Sequence, residues 1–119
     1  GYEVPALFAA SQDTGRAIQD LSMQVDDPVW MLPLWHGYRP EMASHIADIN
    51  SIGSGRAGAI YGALFLNEFV TKGTDWVHLD VYAWSNDNKP GRARGGCDYG
   101  LRATMAYIEN WVADHAKSG

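Results

Sequence analysis

The stretch from Arg56 to Trp84 limits the folds open to this chain more than any other. It begins with small and apolar residues, Ala57-Gly58-Ala59-Ile60-Tyr61-Gly62-Ala63-Leu64-Phe65-Leu66-Asn67-Glu68-Phe69-Val70. It then passes the turn-forming Lys72-Gly73-Thr74-Asp75 and continues as Trp76-Val77-His78-Leu79-Asp80-Val81-Tyr82-Ala83-Trp84. The first part predicts a helix and the second a strand. Gly58 and Gly62 are four apart, as are Ala59 and Ala63, so one helix face is nearly bare and another backbone is expected to approach it closely. Each glycine costs about 1 kcal/mol against alanine, which close packing must offset. Leu64, Phe65, Leu66 and Phe69 cover most of the remaining circumference, so this helix is expected to be buried.

At 119 residues and 13.1 kDa the chain is the size of one domain, and residues 1–119 are read as a single unit. With 46% hydrophobic and 19% charged residues and five tryptophans, it is too apolar for disorder. A net charge of −5 argues against nonspecific nucleic-acid binding, which needs clustered cations to release phosphate counterions. The basic run Lys89, Arg92, Arg94 and Arg102 is interrupted by Asp87 and Asp98. Cys97 is the only cysteine, so no internal disulfide forms and a reducing, cytoplasmic compartment is expected. The longest apolar run, Ala57 to Leu66, has about half the length a membrane span needs. The opening Gly1-Tyr2-Glu3-Val4 lacks an initiator methionine and runs directly into a strand-like segment, which suggests a piece of something longer.

Ahead of the central stretch, Glu3 to Ala10 reads as an edge strand or extended lead-in, because of its early Pro5. Ser11 offers a side-chain oxygen to start a helix, and Ala17, Ile18, Leu21 and Val25 recur at helical spacing until Asp27-Pro28 ends it. Val29 to Trp35 is expected to be extended and packed on the core. Pro40 fits the first turn of a second helix with Met42, Ile46 and Ile49 on one face, and Asn50 to Gly55 reads as a loop. Ser85 to Gly96 is a dozen residues rich in turn-formers, read as a long loop. Tyr99 to Lys117 closes the chain as a helix whose stripe Leu101, Met105, Ile108 and Val112 is widened by Ala106 and Trp111.

Few groups here could do chemistry. His78 and Asp80 are two apart on a strand and point to one side, where they could hold a metal or act as an acid-base pair, or hydrogen-bond within a half-buried strand. His36 and His45 share no ligand spacing, His115 sits near a helix C-terminus where a cation is favoured, and all three are expected to be structural. Gly53-Ser54-Gly55-Arg56-Ala57-Gly58 lacks the lysine and serine/threonine of a phosphate-binding loop, so helix entry explains it better. Ser11 and Ser54 have no strained turn or base beside them, and Cys97 is a lone thiol. No residue of the chain is assigned a catalytic or metal-binding role.

In combination the motifs are more specific. Leu32-Pro33-Leu34-Trp35 with Tyr38, then Ser44, Ala47-Asp48, Asn50 and Gly53, then Gly58-Ala59-Ile60, Ala63-Leu64-Phe65-Leu66 and Phe69, then Trp76 and His78-Leu79-Asp80 follow in order. This series resembles the carboxy-terminal part of the catalytic domain of the leucyl (cytosol) aminopeptidases. The resemblance implies an α/β fold, with helices packed on a small mixed sheet, as a partial copy of that domain. It implies a two-metal exopeptidase that removes amino-terminal residues from peptides, with zinc or manganese as its two divalent ions, usually assembled as a hexamer. The family's Asn-Thr-Asp-Ala-Glu-Gly-Arg motif does not occur between Gly1 and Gly119, so no cofactor is expected in this fragment.

The family lines its substrate pocket after His-Leu-Asp, which points here to Val81-Tyr82-Ala83-Trp84-Ser85 and most directly to Tyr82 and Ser85. This chain departs there from the commoner Ile-Ala-Gly pattern. The expected function is therefore that of a carboxy-terminal section contributing core, subunit contacts and part of the substrate pocket, inactive alone. The partners implied are a peptide substrate and further copies of the chain, with neither nucleic acid nor membrane. Two alternatives remain open: a non-catalytic stand-alone binding or structural module of the same fold, and a small metal-binding protein using His78 and Asp80.

Overall fold

Ser11 starts the first helix, as its side chain suggests. In the computed structural model, which describes residues 3–42 and 57–116, Ser11 is extended at φ −102° and its hydroxyl accepts the Thr14 N–H at 3.4 Å. Helix α1 spans Gln12–Gln24. It stops where Asp26 turns left-handed at φ 53° and the Asp27 N–H bonds back to the Ser22 carbonyl at 2.9 Å. That geometry closes a helix C-terminus as a glycine would.

Three short strands form the sheet: β1 (Ala6–Ala9), β2 (Trp30–Met31) and β3 (Val77–Asp80), in the order β2-β1-β3. β1 runs parallel to β2, with Leu7 opposite Met31, and antiparallel to β3, with Phe8 opposite His78. The segment expected at an edge is thus central. Pro5 precedes the strand and contributes only its carbonyl, which accepts the Trp30 N–H at 2.8 Å, so its missing N–H breaks no ladder. Alternation along β1 sends Leu7 to one face and Phe8 to the other, and both are fully buried.

Leu7 meets Ile18, Val29 and Ala103, with Val25, Val77, Leu79 and Tyr107 around them, in the core between the sheet and its helices. α1 crosses closely at Gly15, where an added Cβ would lie 2.8 Å from the Met31 methyl. A second cluster, Met42, Tyr61 and Leu64, joins a 3-10 helix (His36–Met42) to helix α2 (Gly58–Asn67). Pro40 lies inside the 3-10 helix rather than opening an α-helix. The expected helix through Ile46 and Ile49, the loop Asn50 to Gly55, and His45, Ser54 and Arg56 lie outside the described residues.

The central stretch departs from expectation in three ways. α2 ends at Asn67 rather than Val70, and only Tyr61, Ala63 and Leu64 along it are buried. Leu66 and Phe69 face outward, and a Cβ added at Gly58 or Gly62 would meet no atom within 4 Å, so no described backbone covers the small-residue face. The strand expected to run from Trp76 to Trp84 stops at Asp80, because Ala83 adopts φ 56° and breaks the extended run. The long loop is instead a hairpin of β4 (Trp84–Ser85) and β5 (Gly95–Gly96), closed by reciprocal Lys89–Arg92 backbone bonds of 2.8 and 2.9 Å. Its tip is tied down by the Lys89–Glu3 ion pair and by Arg92, whose guanidinium sits 4.3 Å over the Tyr99 ring.

Helix α3 (Leu101–Ala116) packs beside α1. The stripe expected to face the core points outward, and Ala103 and Tyr107 face inward instead. The cause is an unusual cap. Gly100 has no side chain to satisfy the first helical amides, and the buried Asp27 carboxylate does so from 73 residues away, accepting from the Gly100 N–H at 3.0 Å and the Ala103 N–H at 3.1 Å. Those two bonds set the helix rotation. Asp27→Ala should therefore lower stability by about 1–3 kcal/mol, the cost of buried amides left unsatisfied. Asp27→Asn, which keeps one carbonyl oxygen, should lose less in urea unfolding; equal losses would show that one retained acceptor does not hold the helix start and that both carboxylate oxygens are needed.

Candidate functional site

Tyr82 stands where β3 gives way to the break at Ala83. It lines an open cavity of about 660 Å³ together with Val4, Ala6, Trp30, Leu32, Ala59, Asp80 and Val81. Apart from Asp80 and Tyr82 the lining residues are apolar or aromatic, a composition that suits an aliphatic or aromatic group.

Ser85, the other residue singled out after His-Leu-Asp, is not brought into that cavity. It is buried on β4, and its hydroxyl donates to the Asp87 carbonyl at 2.8 Å. The small hollow it lines, with Glu3, Trp84, Lys89 and Tyr99 among its walls, has about 80 Å³. The divergence begins at Ala83, whose carbonyl accepts the Cys97 N–H at 2.9 Å and so sends the chain after Tyr82 into the hairpin.

The other candidates have structural partners. His78 is half-buried and stacks on Phe8, with ring centroids 6.1 Å apart and planes within 22°. Asp80 is exposed at the strand end, beyond that stack. His115 stacks on Trp111 at 3.8 Å and its Nδ1 lies 2.7 Å from the Trp111 carbonyl, while His36 is exposed in the 3-10 helix. Cys97 directs its thiol at the Gly95 carbonyl at 3.7 Å. Among the described residues no group of three or more His, Cys, Asp or Glu side chains could hold a metal ion. Of the pocket-lining residues, Trp30 and Leu32 escaped the sequence reading, because only the parallel pairing of β2 with β1 carries them to the cavity.

Comparison with known proteins gives this geometry a setting. A sequence profile of the catalytic domain of the cytosol aminopeptidase family matches residues 1–106. The chain is 41% identical, over 93 residues, to the cytosol aminopeptidase of Buchnera aphidicola, covering 76% of this chain and 18% of that protein. Its backbone is similar to the crystal structure of the cytosol aminopeptidase from Coxiella burnetii, with a TM-score of 0.87 and 41% identity over 92% of this chain and 24% of the other. A further likeness is to the bottromycin maturation enzyme BotP solved in complex with Mn, at a TM-score of 0.84 and 25% identity, covering 93% of this chain and 25% of that one. The chain thus spans no more than a quarter of the length of these three proteins.

Two outcomes test the local geometry. Ala83→Gly removes the strain of a left-handed alanine and should raise stability by about 0.5–1 kcal/mol in thermal unfolding. His78→Phe keeps the stack on Phe8, and zinc added to the chain should shift its Tm no more than it shifts the variant's; a zinc response lost on substitution would make His78 a ligand.

Proposed function

Because the chain belongs to the cytosol, or leucyl, aminopeptidase family, we propose that it forms the carboxy-terminal section of the catalytic domain of an exopeptidase that removes amino-terminal residues from peptides. The match of residues 1–106 to the family's catalytic domain carries this reading. In the complete enzyme this section supplies core, subunit contacts in a homo-oligomer of the hexameric kind, and one wall of the substrate pocket. The names of the relatives support a cytoplasmic setting, and no described helix is long and apolar enough to cross a membrane.

The manganese complex of BotP supports divalent metal chemistry, with two zinc or manganese ions in the complete enzyme. The described residues of this chain do not fit that role, since His78 is engaged with Phe8 and Asp80 stands alone at the strand end. No step of hydrolysis is assigned to them, and this section is inactive by itself. Its own contribution is binding: Tyr82, Trp30 and Leu32 exclude water around the side chain of the residue to be removed and hold it in place. Ser85 acts at one remove, by fixing the hairpin that follows Tyr82.

The shape of the chain supports membership in a larger body. A compact protein of this mass exposes about 6,400 Å², whereas this chain exposes 8213 Å². Its radius of gyration is 16.3 Å, in a slab 46 by 46 by 18 Å, against roughly 13.5 Å for a compact chain of this length. Among the described residues β2 and β3 are the edge strands of the sheet, a position that can receive neighbouring strands.

Blotting source cells with an antibody to this chain should reveal a band about four to five times its mass, as the shares of the relatives covered imply; a band near 13.1 kDa would favour a stand-alone module. In the complete enzyme, Tyr82→Ala should change the preference among amino-terminal residues by roughly tenfold, the worth of one or two methylenes in an apolar pocket, while metal content stays constant. Unchanged preference would remove Tyr82 from the pocket.

A further inference from the structure

We propose that Lys89, at the tip of the β4–β5 hairpin, is a positioning residue for the substrate pocket: by holding Glu3 it fixes the separation of Val4 and Tyr82. This rests on the reading of the Tyr82 cavity as that pocket. The cavity lies where the pairing of β1 with β3 runs out. Its last pair is Ala6 with Asp80, and both residues line the cavity. Continued for two more residues along each strand, the same register brings Val4 opposite Tyr82, and these line it as well. Neither residue belongs to a strand. The ladder that spaces Ala6 from Asp80 therefore does not space Val4 from Tyr82.

The hairpin joins these two ends. On one side the Ala83 carbonyl, next to Tyr82, accepts the Cys97 N–H at 2.9 Å and ties Tyr82 to the hairpin base. On the other side the Lys89 ammonium pairs with the carboxylate of Glu3, next to Val4. Glu3 also lines the small hollow with Trp84 and Tyr99, so it is seated against the hairpin by more than its charge. Between tip and base the hairpin is braced by the Lys89–Arg92 backbone bonds and by the Arg94 N–H, which donates to Asn88 Oδ1 at 2.9 Å. The tip is in turn fastened to the start of α3. Arg92 Nη1 is buried with no hydrogen-bond partner among the described residues, and the guanidinium lies 4.3 Å over the Tyr99 ring, whose face takes the place of an acceptor. Tyr99 directly precedes Gly100, whose N–H the Asp27 carboxylate holds. Lys89 thus draws Glu3 toward a point that does not move with the strand ends. Every contact in this linkage is made within the chain, so it needs no free surface.

The test is a charge exchange in the complete enzyme, read by kinetics and by hydrogen exchange. Lys89→Glu alone, or Glu3→Lys alone, replaces attraction by repulsion and should raise KM about fivefold for peptides with a large apolar first residue, the worth of one surface pair, while kcat stays constant. Both variants should also speed amide exchange across residues 80–87. K89E/E3K, which restores the pair in reverse, and Lys89→Arg should return both readings to those of the unaltered enzyme. Single variants that leave KM unchanged overturn the proposal even where exchange quickens, since the ion pair then holds the hairpin without setting the pocket. So does a double variant that fails to recover KM. Tyr82→Ala separates this from a failure of the pocket reading. Unchanged preference there removes the pocket and the role of Lys89 with it, whereas altered preference with a KM indifferent to Lys89 overturns the positioning role alone.

Discussion

The buried carboxylate of Asp27 holds the molecule's two long helices in register. It leaves water, which is costly for an ion, and is compensated by two charge-assisted bonds to the Gly100 and Ala103 amides at the positive end of α3. One residue earlier, the Asp26 carbonyl accepts from Arg102, so both ends of the corner are clamped. Beside it Ser22 is also buried, giving its proton to the Gln19 carbonyl at 2.6 Å and accepting the Val29 N–H at 3.1 Å. The corner at residues 22–29 is thus built from polar groups with partners, and the apolar contacts of Val29 with Leu7 and Ala103 close over them.

The same helix organises the sheet. A two-residue strand such as β2 has little pairing of its own, and the Gln19 side chain adds a bond by accepting the Met31 N–H at 2.8 Å. At its other end α1 reaches past the sheet, where the Thr14 hydroxyl donates to the Asp75 carboxylate at 2.5 Å just before β3. Gly15 lets the helix lie close enough for these short side chains to span the gap. α1 therefore touches all three strands or their entries, and its position follows from local signals at its ends, Ser11 and Asp27.

Those local signals explain which parts of the fold were legible. Ser11, Asp27-Pro28 and the spacing of Ile18 and Leu21 act within a few residues of themselves, and α1 appears where they indicate. The pattern along α3 is equally clear as a helix, yet it does not give the inward face, because the Asp27 cap and not the large apolar residues accompanies the rotation that buries Ala103. A bond across 76 residues leaves no trace in local periodicity. The turn-formers at 84–96 suit a loop and a tight hairpin equally, and only the pairing of Trp84 with Gly96 tells the two apart. The bare face of α2 was legible as a pattern, but what covers it is not among the described residues.

The candidate pocket shows the same division between local and distant causes. Val81-Tyr82-Ala83 stands where the family's commoner pattern is Ile-Ala-Gly, and the third position is the one the backbone takes through the left-handed region at φ 56°. Glycine adopts that conformation without strain, whereas alanine carries about 1–2 kcal/mol. The left-handed turn at Ala83 follows directly on Tyr82 and leaves it at the strand end beside the cavity. A phenol ring there adds a wall to the cavity that alanine would leave open, and Trp30 and Leu32 meet it from β2 and the residue after it. Ser85 lies past the break, and because the chain turns at Ala83 it lines the small hollow beside Asp87 and not the cavity that Tyr82 lines.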